Sequence, residues 1–152
     1  MTTTVSRILS PVDFSETSDH ALEYAIELAR GLGAELHLLH VYQLPMYSMP
    51  DGALLAGPDV ATRIMDTARE SLDALAQRLA DRGVTIERHL TEGVPHQEIE
   101  RVAKDIGADM VVMGTHGRTG LGHLLLGSVA ERVVRTVPAP VLTVRHPESE
   151  VS

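Results

Sequence analysis

The chain alternates between short apolar runs and longer segments in which apolar residues recur at helical spacing. This alternation predicts β-strands that take turns with amphipathic α-helices. The apolar runs predict five strands, over residues 8–12, 35–41, 84–90, 110–113 and 141–144. The helical spacing predicts four helices. The first follows a run of helix-capping residue types over 13–18 and is stopped by Gly31 and Gly33, the second covers 62–82, the third runs from Pro95 to Gly107, and the fourth lies between Ser128 and Pro138.

Strict alternation of strands and helices predicts parallel strands joined by right-handed crossovers, with helices on both faces of the sheet. The predicted fold class is therefore α/β, as a single doubly wound domain over residues 1–152. Ligands of such sheets bind beyond the carboxyl ends of the strands, where the strand order reverses. The loops after the first, second and fourth strands are therefore the places to look for chemistry.

One connection, about residues 43–58, shows neither the pattern of a strand nor the spacing of a helix. It contains Pro45, Pro50 and two methionines, and it is long for a connection inside a compact domain, so it is expected to be either functional or mobile. Two interpretations remain open: a surface loop that orders on binding or assembly, and a lid or partner contact.

Composition narrows the function classes. The 152 residues include no cysteine, which excludes disulfides, thiol catalysis and cysteine-ligated metals. Thirteen Lys and Arg against 21 Asp and Glu give a net charge of -8, the wrong sign for a protein that binds nucleic-acid phosphates. No apolar run approaches the length of a membrane span, and the first ten residues do not resemble a signal peptide. We therefore expect a cytoplasmic protein that binds neither nucleic acid nor membrane.

The segment from Gly114 to Ser128 carries the most chemical information, because five of its residues are glycine. Glycines let a ligand approach the backbone closely and let N–H groups turn toward an anion. Gly127 and Ser128 then open a helix, whose unpaired N–H groups and positive dipole end favour phosphate. The alternative is a flexible loop that is closed by an ordinary serine cap.

Better-known motifs fit poorly. The spacing from Gly122 to Gly127 resembles a Walker A loop, but Ser128 stands where its lysine belongs. No glycine follows the first strand, which disfavours a Rossmann dinucleotide site. His37 and His40 lie three apart on a strand and so point to opposite faces. We predict no metal site built from side chains and assign no catalytic residue.

A glycine pattern and five landmark runs together resemble the universal stress protein family of the ATP-binding type. Gly114, Gly117, Gly127 and Ser128 match its pattern of glycine, two residues, glycine, nine residues, glycine and serine. The five landmark runs are 11–16, 40–41, 112–118, 126–131 and 140–144. The resemblance covers a core of about residues 4–146, before a tail at 147–152.

The resemblance implies a sheet of order 3-2-1-4-5 that binds ATP or another adenine nucleotide. By position, Pro11, Val12 and Val41 would flank the base, Asp13 and Gly114 would meet the ribose or base, and Gly117, Arg118, Gly127, Ser128 and Val129 would hold phosphates. Met113 and His116 complete the predicted binding set, and magnesium or manganese would bind through the phosphates. Asp13 as a plain turn residue and Arg118 as a solvated arginine are the alternatives.

The predicted function is an ATP-binding regulatory protein of the stress response, with slow or no hydrolysis. An enzyme that uses the same pocket and a nucleotide-free scaffold are the alternatives. We also predict a homodimer through residues 141–145, because the last strand is an apolar sheet edge. In the alternative, residues 145–148 fold back over that edge. Protein partners other than a second copy are not identifiable.

Overall fold

A computed structural model describes residues 3–45, 50, 57–116 and 126–147 of the chain. Its strands form one parallel sheet in the order β3-β2-β1-β4-β5. The strands are β1 (Arg7–Pro11), β2 (Glu35–Tyr42), β3 (Ile86–Glu92), β4 (Met110–Gly114) and β5 (Val141–Val144). The helices are α1 (Glu16–Leu32), α2 (Pro58–Arg78), α3 (Pro95–Ile106) and α4 (Ser128–Thr136). The predicted α/β fold class and strand order are confirmed.

Local signals set the ends of two helices close to where the sequence predicts them, although α1 continues through Gly31, which was expected to help stop it. The Ser15 side chain accepts a hydrogen bond from Ser18 N–H and caps α1, which ends at Gly33 in the left-handed conformation, with φ +67°. Pro95 occupies the first turn of α3, and Gly107 ends that helix with φ +64°.

The second helix and third strand lie at other positions than predicted. α2 begins at Pro58 instead of Thr62, because proline suits the first helical turn and the preceding Gly57 serves as N-cap. It ends at Arg78, and the expected last turn is a series of tighter bonds such as Leu79 N–H to Ala76 O. β3 runs over 86–92 instead of 84–90, because its pairing with β2 starts at Ile86 and continues to Glu92.

Two hydrophobic clusters sandwich the sheet. α1 and α2 pack on one face, over Ile8, Leu36 and Leu38. α3 and α4 pack on the other face, over Leu9 and Leu39. Because adjacent residues of β1 and β2 supply opposite clusters, these strands are buried on both faces, as parallel sheets require.

The β2–β3 pairing also joins two histidines on one face of the sheet. His37, only 6% exposed, and His89 lie with Nδ1 and Nε2 2.9 Å apart and their rings stacked. Nε2 of His37 donates to Glu35 Oε2 at 3.1 Å, since a carboxylate only accepts, so Nδ1 of the neutral ring accepts from His89. Burial first, and then the positive charge that neighbouring His37 carries when it is protonated, lower the pKa of His89.

This shift predicts acid sensitivity. Because the pKa of His89 in the folded protein lies below its ordinary value of 6.5, the unfolded chain binds more protons just below that pH. The free energy of unfolding should therefore fall as pH drops through this range. Urea unfolding at about pH 7.5 and about pH 5.5 should show a smaller loss in His89→Gln than in the wild type. Equal losses in both proteins would contradict this account of His89.

Candidate functional site

A cleft of about 1020 Å³ opens at the carboxyl ends of the strands. Of the twelve residues predicted to bind a cofactor, Gly117 and Arg118 lie outside the described residues. The remaining ten all line the cleft: Pro11, Val12, Asp13, Val41, Met113, Gly114, His116, Gly127, Ser128 and Val129. The structure thus brings together residues that are more than a hundred positions apart in the chain.

The topology explains the place of the cleft. β1 pairs with β2 on one side and with β4 on the other, so the connections after β1 and β4 leave in opposite directions. A crevice at such a reversal is where doubly wound proteins bind ligands. The cleft also reaches both faces of the sheet, with α2 as one wall and α3 and α4 as the other.

Asp13 combines a turn role with a position at the cleft. Its Oδ1 accepts hydrogen bonds from Ser15 N–H at 3.0 Å and from Ser15 Oγ at 2.5 Å. Phe14 between them has φ +65°, a conformation that is strained for a non-glycine residue and tends to occur at functional sites. No bond to Asp13 Oδ2 occurs within the part of the chain that the structure describes. One carboxylate oxygen therefore shapes the turn, and the other is available to a ligand.

The end of β2 is held by a histidine side chain. His40 Nδ1 donates to Val12 O at 2.8 Å, because a carbonyl only accepts, and its ring lies 4.6 Å from that of Phe14. Val41, the next residue, packs with the cluster on the opposite face. The loop after β1 and the end of β2 therefore form one connected rim.

Packing explains two of the glycines. A Cβ on Gly127 would lie 2.8 Å from Thr115 O, the atom that accepts the Gly127 N–H at the same distance. A Cβ on Gly114 would lie 2.8 Å from Thr17 Cγ2 of α1. Both distances are shorter than a side chain tolerates. Gly127 therefore closes the base of the glycine-rich segment, and its own N–H is occupied by the protein.

The N-terminus of α4 opens into the cleft. Its N-cap is Gly127, which has no side chain to make a capping bond, so the alternative in which Ser128 is an ordinary cap is wrong. The first-turn N–H groups of Ser128, Val129 and Ala130 have no partner within the helix. All three residues line the cleft, and together with the helix dipole they suit an anion.

The wall formed by α2 was missed by the sequence analysis. Arg63, Thr67 and Ser71 recur every four residues and all line the cleft. No hydrogen bond or ion pair of their side chains occurs among the described residues. Their four-residue repeat beside the apolar stripe of α2 was the available signal, but it is equally typical of a solvated helix face.

The described ranges were also searched for metal-binding side chains and for membrane-spanning helices. They contain no group of three or more potential metal ligands, and none of their helices is long and apolar enough to cross a membrane.

Comparison with known proteins gives a consistent relationship. Residues 4–145 match the model of the universal stress protein family. Universal stress protein MJ0531 of Methanocaldococcus jannaschii is 36% identical over 145 residues, which cover 95% of this chain and 84% of the relative. Universal stress protein MJ0577 of the same organism is 32% identical over an alignment that covers 98% of this chain and all of the relative.

Solved structures agree. The structure of MJ0577 superposes with a TM-score of 0.79 at 29% identity and covers 95% of this chain and 98% of its own. Universal stress protein UspA of Lactobacillus plantarum superposes with a TM-score of 0.80 at 26% identity, and the match covers 95% of this chain and 100% of the other. A universal stress protein solved in complex with cAMP superposes with a TM-score of 0.62 at 24% identity, and the match covers 94% of this chain and 98% of the other. This likeness shows the fold alone.

The packing around Gly127 predicts a local cost of substitution. Gly127→Ala should lower the free energy of unfolding by about 1–3 kcal/mol more than Gly57→Ala does. Gly57 is the matched control, because it is also an N-cap without a side-chain bond, but its Cβ would meet nothing within 4 Å. Denaturant unfolding measures both variants, and equal losses would contradict the clash with Thr115.

Proposed function

Because the chain belongs to the universal stress protein family, we propose that its cleft binds an adenine nucleotide, ATP foremost. The protein then acts as a regulatory nucleotide-binding protein of the stress response in the cytoplasm. The observation that carries the proposal is the uncapped N-terminus of α4, which opens into a cleft at the switch point of the sheet. An anion at this position receives three backbone N–H groups and the positive end of the helix dipole.

The dimensions support a phosphate–ribose–base order across the cleft. β4 and β2 are separated by β1 and so lie two strand spacings apart, about 10 Å. Phosphates at α4 place the ribose over the end of β1, where Asp13 Oδ2 is available to sugar hydroxyls. The base then reaches the end of β2, beside Val41 and the apolar Pro11.

The phosphate end would be held by the first-turn N–H groups of α4 and by the Ser128 hydroxyl. Arg118, outside the described residues, is proposed from the sequence to pair with phosphate as a charge-assisted donor. A magnesium or manganese ion would bind through the phosphate oxygens, which supply the oxygen ligands that hard cations prefer.

Slow or absent hydrolysis follows from how the nearby side chains are engaged. A general base must reach the attacking water. Oδ1 of Asp13 is occupied by Ser15, and its Oδ2 is assigned above to the ribose rather than to the phosphates. Nδ1 of His40 is occupied by Val12 O. Phosphate release at about 1 s⁻¹ or faster would favour the enzyme alternative, whereas failure to bind ATP would favour a nucleotide-free scaffold.

We also propose that the protein is a homodimer through β5, the edge strand of the sheet. Leu142 on this strand is 38% exposed, and Val134 on the neighbouring α4 is 48% exposed. A two-fold axis would pair the two edges antiparallel in a closed contact. Beyond the strand, His146 lies against α1, with its ring 5.7 Å from that of His20. This course supports an accessible edge rather than the alternative in which the tail covers it.

A change at Ser128 separates nucleotide binding from folding. Ser128→Asp places a negative charge in the first turn of α4, where it favours the helix dipole but repels phosphate. We expect unchanged or increased thermal stability together with ATP affinity at least about tenfold weaker by calorimetry. Ser128→Ala, which removes only the hydroxyl, should weaken binding less. ATP binding that both variants leave intact would overturn this placement of the phosphates.

A charged side chain on the edge strand β5 tests the proposed dimer. Leu142→Lys should raise the dimer dissociation constant at least about tenfold, because a lysine on an edge strand opposes strand pairing. Leu32→Lys, on a leucine that is 51% exposed at the end of α1, is the matched control. Light scattering over a concentration series measures both variants. A monomeric wild type at micromolar concentration would refute the proposal.

A further inference from the structure

Thr115, directly after β4, makes hydrogen bonds in three directions. Its N–H donates to Val144 O of β5 at 3.0 Å, and its carbonyl accepts the N–H of Gly127 at 2.8 Å. Its Oγ1 lies 3.0 Å from His116 Nδ1. With its backbone held on both sides, Thr115 offers its hydroxyl to the histidine from a fixed position.

His116 carries a buried nitrogen without a partner. The residue lines the cleft, but its Nε2 is shielded from solvent and has no hydrogen-bond partner among residues 3–45, 50, 57–116 and 126–147. The adjacent Cδ2 lies 3.7 Å from where a Cβ on Gly127 would be. The unpartnered nitrogen is therefore beside the N-terminus of α4, which the proposed function assigns to phosphate.

Counting donors favours one tautomer of His116. If the Thr115 hydroxyl donates to Nδ1, only Nε2–H lacks a partner. If Nδ1–H donates instead, both the hydroxyl hydrogen and the Nε2 lone pair lack partners within the described residues. The first arrangement leaves fewer groups unsatisfied, and unsatisfied buried groups cost free energy. His116 thus presents an N–H donor beside the anion site.

We propose that His116 donates Nε2–H to the anionic group bound at the N-terminus of α4, and that Thr115 is the positioning residue that fixes this tautomer. The proposal rests on the proposed function, because it names the side chain that makes phosphate binding sensitive to protons. Since Nε2 is shielded before binding, the ring must turn slightly toward the cleft. The terminal torsion of histidine is soft enough for such a turn.

Proton linkage follows from the charge of the ligand. An anion beside Nε2 stabilises the imidazolium, so binding draws a proton onto His116 and becomes tighter as pH falls through the range in which histidine titrates. Other ionisable or charged groups lie along the cleft and on the elements next to it. Those that line the cleft are Asp13, His40, Tyr42 and Arg63, and those on neighbouring elements are Glu16, Glu131, Arg145 and His146. Substitutions of His116 therefore separate its contribution to the pH dependence of binding from that of these groups.

Two substitutions separate the donor from the titrating group. His116→Gln keeps an N–H donor but cannot gain a proton, whereas His116→Phe removes both. ATP and inorganic tripolyphosphate are the probes, titrated by calorimetry at about pH 8 and about pH 6. At the higher pH, His116→Gln should bind within about threefold of the wild type and His116→Phe about tenfold more weakly. The advantage of the wild type over His116→Gln should then grow by about fivefold or more at the lower pH.

Nitrogen-15 spectra of the histidine rings provide a readout that a structural role would not move. The free protein should show His116 as the Nε2–H tautomer, and either anion should shift it toward the imidazolium. Thr115→Val should mix the tautomers and weaken binding about threefold, and Thr115→Ser should restore both properties. A Thr115→Val spectrum that keeps a single Nε2–H tautomer would overturn the role of Thr115.

The outcomes distinguish this inference from the proposed function. ATP binding with an unmoved His116 and a constant affinity ratio would overturn the inference and leave the proposed function standing. If tripolyphosphate binds and shifts the His116 signals but ATP does not bind, the proposed function is overturned and the inference about His116 stands. Failure of the wild type to bind either anion would overturn both.

Discussion

The site depends on the burial of β1 and β4 on both faces of the sheet. Adjacent residues of these strands, Ile8 and Leu9 in β1 and Val111 and Val112 in β4, are fully buried. Strands of this kind need helices on both sides, so the chain must cross to one face after β1 and to the other after β4. The crevice between these crossovers is a consequence of covering the sheet.

The closure at Thr115 gives this crevice its chemical character. One hydrogen bond, from Gly127 N–H to Thr115 O, joins the end of β4 to the start of α4. It brings the open helix N-terminus beside the strand ends and requires a glycine at position 127. Gly127 therefore serves mainly to make this backbone contact. The residues that follow it, Ser128 and Val129, offer N–H groups to a ligand.

Periodicity and capping predicted most of the fold, because these signals are local. Pro95 and Gly107 marked α3 correctly, whereas α2 was displaced because an apolar stripe does not show where a helix begins. The role of Thr115 was not predictable, since it comes from contacts with segments distant in sequence. The pairing of His37 with His89 needed the strand register. Sequence therefore located the cleft, but not the contacts that organise it.

In the proposed complex, a nucleotide lies across the ends of β4, β1 and β2 with its phosphates on α4. Titration of the nitrogen-15-labelled protein with ATP, followed through backbone amide signals, tests this most directly. We expect the largest shifts at Ser128, Val129 and Ala130, with a second group at Val12, Asp13 and Val41. An absence of shifts at saturating ATP, or shifts confined to the opposite, amino-terminal edge of the sheet, would contradict it.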